Sequence, residues 1–296
     1  MSVIIPSYNS GKRILNCLEA VKRQSIDGEF EVIVADSSDD GTGDMLAQLE
    51  GIKLIRSVQR LFPGTARNRG AAEAAGVVLC FTDADCIPAA DWIANIWKAR
   101  PDENRTVVGG PITNGTPDSA VGTAEYFCEL SGFLPMHVAR TVRFLPSANF
   151  AVGAGTLKEV GGFRDYEKGS DVTFGEECRR AGILLAFDPS IRVAHVNRTD
   201  LRGFLANQER LGWGVGNSRA RFSDLPHSWL ARFPLAWPLV PAARLGRMCY
   251  MILRHGREQR CSFVKSLPSI GLGALYFGIG FARGARDGLA AGTRQA

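Results

Sequence analysis

The stretch Val77-Val-Leu-Cys-Phe-Thr-Asp-Ala-Asp85 constrains this chain more than any other segment. An apolar run of strand length ends abruptly in two carboxylates, Asp83 and Asp85, one residue apart. In an extended segment, positions i and i+2 project to the same side. The strand tip therefore presents two hard anionic ligands together. Such a pair suits Mg2+ or Mn2+, which take oxygen ligands and often bridge carboxylates to substrate phosphates. A cation held there can neutralise a diphosphate as it departs. Aspartate after a strand is also ordinary turn chemistry, so the spacing alone decides nothing. Its setting does.

Upstream, Ser2-Val-Ile-Ile-Pro6 reads as a short buried strand stopped by proline. A helix pattern follows, with Ile14, Leu15, Leu18 and Val21 on one face and Asn9 or Ser10 as N-cap. Phe30–Ala35 reads as a second strand, ending at Asp36 and the polar loop 37–42. Ile52–Ile55 suggests a third strand, and Thr65–Ala75 a helix rich in alanine and arginine. Strand and helix alternating at this short spacing predict an α/β fold with a parallel, doubly wound sheet. Ligands of such sheets sit at the carboxyl ends of the strands. Pro6 to Asn9, Asp36 and the Asp83/Asp85 pair all fall at those ends. Asp36 by itself reads equally well as a loop carboxylate capping the next helix.

Downstream, a helix around Trp92–Trp97 leads to a strand at 106–109, and residues 111–145 are less regular. Residues 144–152 read as a strand and turn entering a helix at 155–160, which Gly161-Gly-Phe163 stops. Next come Gly169-Ser-Asp171, a helix ending at Gly182, and strands at 184–187 and 191–196, with His195 near the end of the second. Glu176 and Glu177 fall within the helix after Asp171 and are expected on a solvated face.

Charge divides the chain. Residues 1–199 hold 21 basic and 25 acidic residues, a net of −4, whereas residues 200–296 hold 14 and 5, a net of +9. Phe233–Ala243 is uncharged and broken by three prolines, and Ser266–Ala282 is uncharged and glycine-rich. At 17 residues the second run lies at the short end of what spans a bilayer. A tail both basic and apolar fits anionic lipid better than nucleic acid. We expect a catalytic domain over 1–225 and a membrane-associating helical tail over 226–296. Buried helices packing within the protein or on a second subunit are the alternative for the tail. The seven cysteines show no CxxC spacing, which speaks against a zinc site or disulfide framework and for a reducing cytosol. The first residues run straight into a strand pattern and read as no cleavable leader.

The landmarks Val3-Ile-Ile-Pro-Ser-Tyr-Asn9, Val32-Ile-Val-Ala-Asp36, Gly64-Thr-Ala-Arg-Asn-Arg-Gly70, Asp83-Ala-Asp85, Gly161-Gly-Phe163, Ser170-Asp171 and His195, in this order, resemble family 2 glycosyltransferases of the GT-A fold. The likeness covers roughly residues 1–215. It implies a Rossmann-like, mostly parallel sheet flanked by helices, followed here by an apolar, basic helical extension. It also implies a nucleotide-sugar donor and inverting transfer of the sugar. By position, Pro6, Tyr8, Asn9 and Asp36 would line the nucleoside pocket, and Arg67 would lie close to the diphosphate. Asp83 and Ala84 would face the ribose or sugar, and Asn149 would border the donor sugar and acceptor. Asp85 and His195 would hold Mg2+ or Mn2+, and Asp171 would be the general base.

On family frequency a UDP-sugar is expected in preference to a GDP-sugar. A lipid-linked or glycan acceptor at the cytoplasmic face of the inner or plasma membrane would suit the tail, bound peripherally or inserted shallowly. The chain departs from the family at Ser170, where a glutamate usually precedes the base, and near Glu177, where an arginine is common. Gln208-Glu-Arg-Leu-Gly-Trp213 does not match the Gln-x-x-Arg-Trp of processive synthases, so addition of a single sugar is expected. Two other functions stay open at this point. A sugar-phosphate nucleotidyltransferase would release pyrophosphate, and a noncatalytic scaffold of the same fold would tolerate loss of Asp85 or Asp171.

Overall fold

The computed structural model describes residues 1–26, 28–99, 101, 105–135, 138–165, 169–223, 225 and 227–292. Pro226, where the tail is expected to begin, lies outside them. The chain forms two compact units, Met1–Thr113 with Pro135–His195, and Asn114–Leu134 with Val196–Ala296.

In the first unit, β1 (Ser2–Ser7), α1 (Arg13–Lys22), β2 (Glu31–Asp36), α2 (Thr42–Leu46), β3 (Lys53–Arg56), α3 (Pro63–Ala72) and β4 (Val78–Thr82) alternate as expected. A short β5 (Cys86–Pro88), α4 (Trp92–Ala99) and β6 (Thr106–Gly109) follow, with β7 (Ile112–Asn114) and α5 (Ala120–Leu130) after them. The chain continues through β8 (Arg140–Thr141), β9 (Asn149–Gly153), α6 (Ala154–Glu159), α7 (Ser170–Arg180), β10 (Leu184–Phe187) and β11 (Val193–His195). Among the described residues eight strands form one sheet in the order β3-β2-β1-β4-β9-β6-β10-β8, and β5-β11-β7 form a small second one.

The sheet is mostly parallel but mixed. β9 runs antiparallel to both β4 and β6, and β8 antiparallel to β10. Strands β1, β2 and β4 are buried on both faces, which is why they read as unbroken apolar runs.

Pro6 does not stop β1. The strand pairs with β2 as far as Ser7, with Pro6 opposite Ala35. On its other side the pairing with β4 ends at Ile4. A residue without an N–H therefore falls where no ladder bond toward β4 is lost. The glycines of the α3 motif set distance. A Cβ on Gly70 would come within 2.5 Å of Ile4 Cγ2, so α3 lies on β1 as closely as only glycine allows. Two residues before Gly70, Asn68 accepts from Phe163 N (2.9 Å) and donates to Phe163 O (2.7 Å). Gly161 and Gly162 adopt positive φ angles of 79° and 72°, and their turn brings Phe163 back to α3.

The second unit is helical: α5, α8 (Leu201–Arg221), α9 (Trp229–Arg232), α10 (Val240–His255) and α11 (Arg260–Gly292). α8 and α11 touch backbone to backbone. A Cβ on Gly212 or Gly216 would overlap the carbonyl oxygens of Phe277 or Phe281. One on Gly280 or Gly284 would overlap those of Glu209 or Trp213. Small residues four apart on each helix permit this approach.

A polar cluster lies within the same unit. Fully buried Glu125 accepts from Arg198 Nη1 (2.7 Å) and Asn207 Nδ2 (2.9 Å). Gln208 donates to Glu129 (3.0 Å) and accepts from Arg244 (3.0 Å), whose guanidinium lies 3.7 Å from the centre of the Phe277 ring. Burial, and then the neighbouring Glu129, raise the Glu125 carboxyl above its ordinary range, while Arg198 opposes them.

Gly280→Leu must push α8 and α11 apart and is expected to cost about 1–3 kcal/mol or more. Gly271, with open space at its Cβ position, provides the control. Gly271→Ala is expected to be neutral or to stabilise by up to about 1 kcal/mol. Thermal melts followed by circular dichroism should lower Tm for the first variant and not for the second.

Candidate active site

The ends of β1, β2 and β4 lie side by side because these strands are parallel neighbours. At the β1 end, Asn9 takes the left-handed conformation (φ 49°), which asparagine tolerates. It does not cap α1, and neither does the Ser10 side chain; the helix begins from Lys12 with no side-chain cap. Asn9 instead ties β1 to the loop after β2. Its N–H donates to Ser38 Oγ (2.8 Å), its Nδ2 to Asp39 (2.7 Å), and its Oδ1 accepts from Asp39 N (3.1 Å).

Asp36 is buried and accepts from Ser38 Oγ (2.6 Å). It does not cap α2, whose N-cap is Gly41; Asp40 accepts from Thr42 N there (3.0 Å). Pro6 is half-buried and Tyr8 exposed at the same edge. The Arg60 guanidinium lies 4.6 Å from the centre of the Tyr8 ring. Arg60 was not singled out from sequence, since a loop arginine three residues before a helix carries no signal of its own.

Ala84 is nearly buried between the two carboxylates, which both remain half-buried. They have different partners. Asp83 pairs with Arg67 of α3, which is almost fully buried and lies 5.8 Å from the centre of the Phe163 ring. Among the described residues, Arg67 Nε is buried without a hydrogen-bond partner. Asp85 Oδ1 lies 3.5 Å from His195 Nε2. β5 begins directly after Asp85, and its antiparallel pairing with β11 sets Cys86 opposite His195. The small sheet therefore carries a histidine from more than 100 residues downstream to the tip of β4.

Asp85, Cys86 and His195 offer one ligand atom each within 4.8 Å of one another. The Cys86 thiol is buried and pushed well above its ordinary pKa, first by burial and then by Asp85 and Asp83. It is a neutral thiol and a poor ligand for a hard cation. One carboxylate oxygen and one imidazole nitrogen at this separation fit a single Mg2+ or Mn2+, leaving its other positions for phosphate oxygens and water. The residues present fit the cation that the resemblance implies.

Asp171 lies in the first turn of α7, which starts at Ser170, inside the segment expected to precede the helix, after Gly169 in a left-handed conformation. Its carboxylate accepts from Val172 N (2.9 Å). Surrounding protein raises the Asp171 carboxyl above the ordinary carboxylate range; the Arg67 charge opposes this, and Asp83 adds to it. Asp171 thus shares the field of the Arg67–Asp83 pair.

Two expectations need correction. Glu176 is not on a solvated face: it is buried and pairs with Arg179, whose hydrogen bonds hold it below the usual range. Glu177 pairs with Arg164 and Arg180. Asn149 is fully buried, and its amide is taken up by protein. Its Nδ2 donates to the carbonyls of Pro111 (3.1 Å) and Ile191 (2.8 Å), and its Oδ1 accepts from Trp92 Nε1 (2.8 Å). It braces β9 instead of lining a ligand pocket.

The family model described as glycosyl transferase family 2 matches residues 2–153. The chain belongs to this family. It is 27% identical over 224 residues to the glycosyltransferase AglE of Haloferax volcanii, covering 72% of each chain. It spans between 29% and 58% of the length of several further curated relatives. Solved structures share the fold at low identity. The mannosyltransferase PcManGT of Pyrobaculum calidifontis, in complex with GDP-Man and Mn2+, aligns with a TM-score of 0.62 at 19% identity, over 95% of this chain and 86% of that one. S. aureus TarS 1–349, in complex with UDP-GlcNAc, aligns with a TM-score of 0.51 at 16% identity, over 99% and 91%.

The shared field can be measured without any substrate. Asp171 is expected to titrate above the ordinary aspartate range, and Arg67→Gln to move it higher, because Arg67 is the strongest influence holding it down. Carbon-13 NMR titration of aspartate-labelled protein checks this. An Asp171 midpoint that falls, or does not move, on losing Arg67 contradicts the arrangement.

Proposed function

We propose that this family 2 glycosyltransferase moves a sugar, with inversion, from a nucleoside diphosphate donor to a hydroxyl of a lipid-linked or glycan acceptor in cell-surface polysaccharide assembly. The observation that supports it best is a division of labour among carboxylates at one sheet edge. Asp85 stands beside His195, Asp83 is taken by Arg67, and Asp171 stands apart in protein surroundings that favour proton uptake.

Direct displacement needs a base on the acceptor side and positive charge on the leaving side. Asp171 accepts the acceptor hydroxyl proton as that oxygen bonds to the sugar's anomeric carbon. The bond from that carbon to the diphosphate oxygen breaks, and the electron pair leaves with the diphosphate. Arg67, fixed by Asp83 and packed near Phe163, sets a preorganised cation toward the growing charge. A divalent cation on Asp85 and His195, when bound, supplies further positive charge for the same oxygens. Tyr8, Asn9 and Asp36 border the expected nucleoside position.

The donor is proposed to be a UDP-sugar in preference to a GDP-sugar; both nucleotides occur in solved structures of this fold. Transfer is proposed to stop after one sugar. Gln208, in the segment nearest to the processive motif, is buried between Glu129 and Arg244. The basic, apolar tail supports a place on the cytoplasmic face of the inner or plasma membrane, with no role for nucleic acid.

A screen of UDP- and GDP-sugars with Mn2+ and Mg2+, scored by release of nucleoside diphosphate, tests the reaction class. Pyrophosphate as the product would point to a nucleotidyltransferase instead. Asp171→Asn is expected to keep donor binding by calorimetry while transfer falls about 10²–10⁴-fold. Asp85→Ala is expected to lose the cation dependence of donor binding. Transfer unaffected by both changes would leave a scaffold as the better account.

A further inference from the structure

The outward face of α11 has the wrong character for water. The helix is long and apolar enough, by length and composition, to cross a membrane, yet one side of it is already packed within its own unit. Phe263, Ile270, Phe277 and Phe281 are buried, with Phe263 edge-on to Phe127 of α5 at 5.2 Å. A surface helix with such an inner stripe normally carries polar residues outside. Here the outer stripe is Val264, Leu267, Leu272, Leu275 and Ile279, each between 36% and 61% exposed. At about 1.5 Å per residue it runs for about 24 Å. Cations stand at both ends, Arg260 and Lys265 at its start and Arg286 after it, with no acidic residue between Glu258 and Asp287. α10 repeats the pattern on a smaller scale, with exposed Tyr250 and Leu253 beside Arg247 and Arg254.

We propose that this outer stripe of α11, residues 264–279, is a docking face for an anionic lipid bilayer, lying in the interface with Arg260, Lys265 and Arg286 against the headgroups. The choice of a bilayer builds on the membrane-side acceptor proposed above. Charge complementarity supports it, since a strip of apolar side chains bracketed by cations matches acyl chains bordered by acidic headgroups. A second copy is the poorer occupant. Antiparallel pairing of two such stripes would set Arg260 and Lys265 against Arg286, and parallel pairing would set each cation against itself. Lying in the interface also suits the packing better than spanning. The inner face of α11 is fixed to α8, which exposes Arg202, Arg210 and Arg221 and could not follow it into hydrocarbon.

The test uses the full chain and sedimentation with phosphatidylcholine vesicles, with and without phosphatidylglycerol. The protein is expected to pellet with the anionic vesicles, and salt to weaken this. Leu272→Glu with Leu275→Glu is expected to reduce binding by more than about tenfold, since two apolar side chains are lost from the acyl layer and two negative charges face acidic headgroups. Both positions face outward, so the melting temperature is expected to hold; should the double change fold poorly, Leu275→Gln alone must show the same direction. Failure to pellet, or pelleting that the leucine changes leave intact, overturns the proposal. So does a dimer in size-exclusion chromatography that the leucine changes split. Donor turnover without vesicle binding would remove the docking face and leave the transfer chemistry. Vesicle binding without donor turnover would do the reverse.

Discussion

A guanidinium almost sealed from water, that of Arg67, organises the candidate site. A buried cation needs a counter-charge, because taking it out of water costs several kcal/mol otherwise. Asp83 provides that charge and is thereby oriented, so that the first aspartate of the Asp-x-Asp pair is committed to α3. Asp85 is left to face His195. The order of events in the sequence follows from this division. α3 must sit close on β1 for Arg67 to reach the tip of β4, which requires Gly70 against Ile4. The same helix must be locked at its other face, which the reciprocal Asn68–Phe163 hydrogen bonds accomplish. The segment Gly64–Gly70 and the distant Gly161-Gly-Phe163 are therefore two halves of one support.

Much of this edge was legible because parallel strands obey a strict geometric rule. Once β1, β2 and β4 were identified as apolar runs, their polar terminal residues had to converge, and they do. What the sequence left out were features that depend on pairing partners. Pro6 reads as a strand stop, yet it extends β1, since β4 has already let go of that strand at Ile4. The antiparallel course of β9 cannot be inferred from Asn149–Gly153, because a doubly buried strand has the same composition in either direction. Asn149 looks like a ligand-facing amide in a loop, but Trp92 and two carbonyls consume its hydrogen-bonding capacity. Glu176 looks solvated because it is charged; burial beside Arg179 is invisible without the fold.

The tail over 226–296 was legible as helical, but not the continuous helix over Arg260–Gly292, which contains Pro268 and many glycines. The glycines become favourable once α8 is alongside. Gly280 and Gly284 admit the carbonyls of Glu209 and Trp213, and Gly212 and Gly216 admit those of α11. A propensity cost of about 1 kcal/mol per glycine in a lone helix is offset here by backbone approach that any side chain would prevent. Composition alone shows the cost and hides the compensation, because the compensating contacts come from a helix some 70 residues earlier.

The chemistry of the site turns on Arg67 serving two carboxylates. It pairs with Asp83, and its charge also opposes the raised pKa of the Asp171 carboxyl. A diphosphate near Arg67 would neutralise part of the charge that restrains Asp171. The carboxyl pKa, already raised by burial, would then rise further. A carboxylate of higher pKa is the stronger base, and it stays ionised while that value remains below the ambient pH. Donor occupancy would thus increase the proton affinity of the group expected to deprotonate the acceptor. The coupling requires no movement of Asp171, only that its restraining cation be shared.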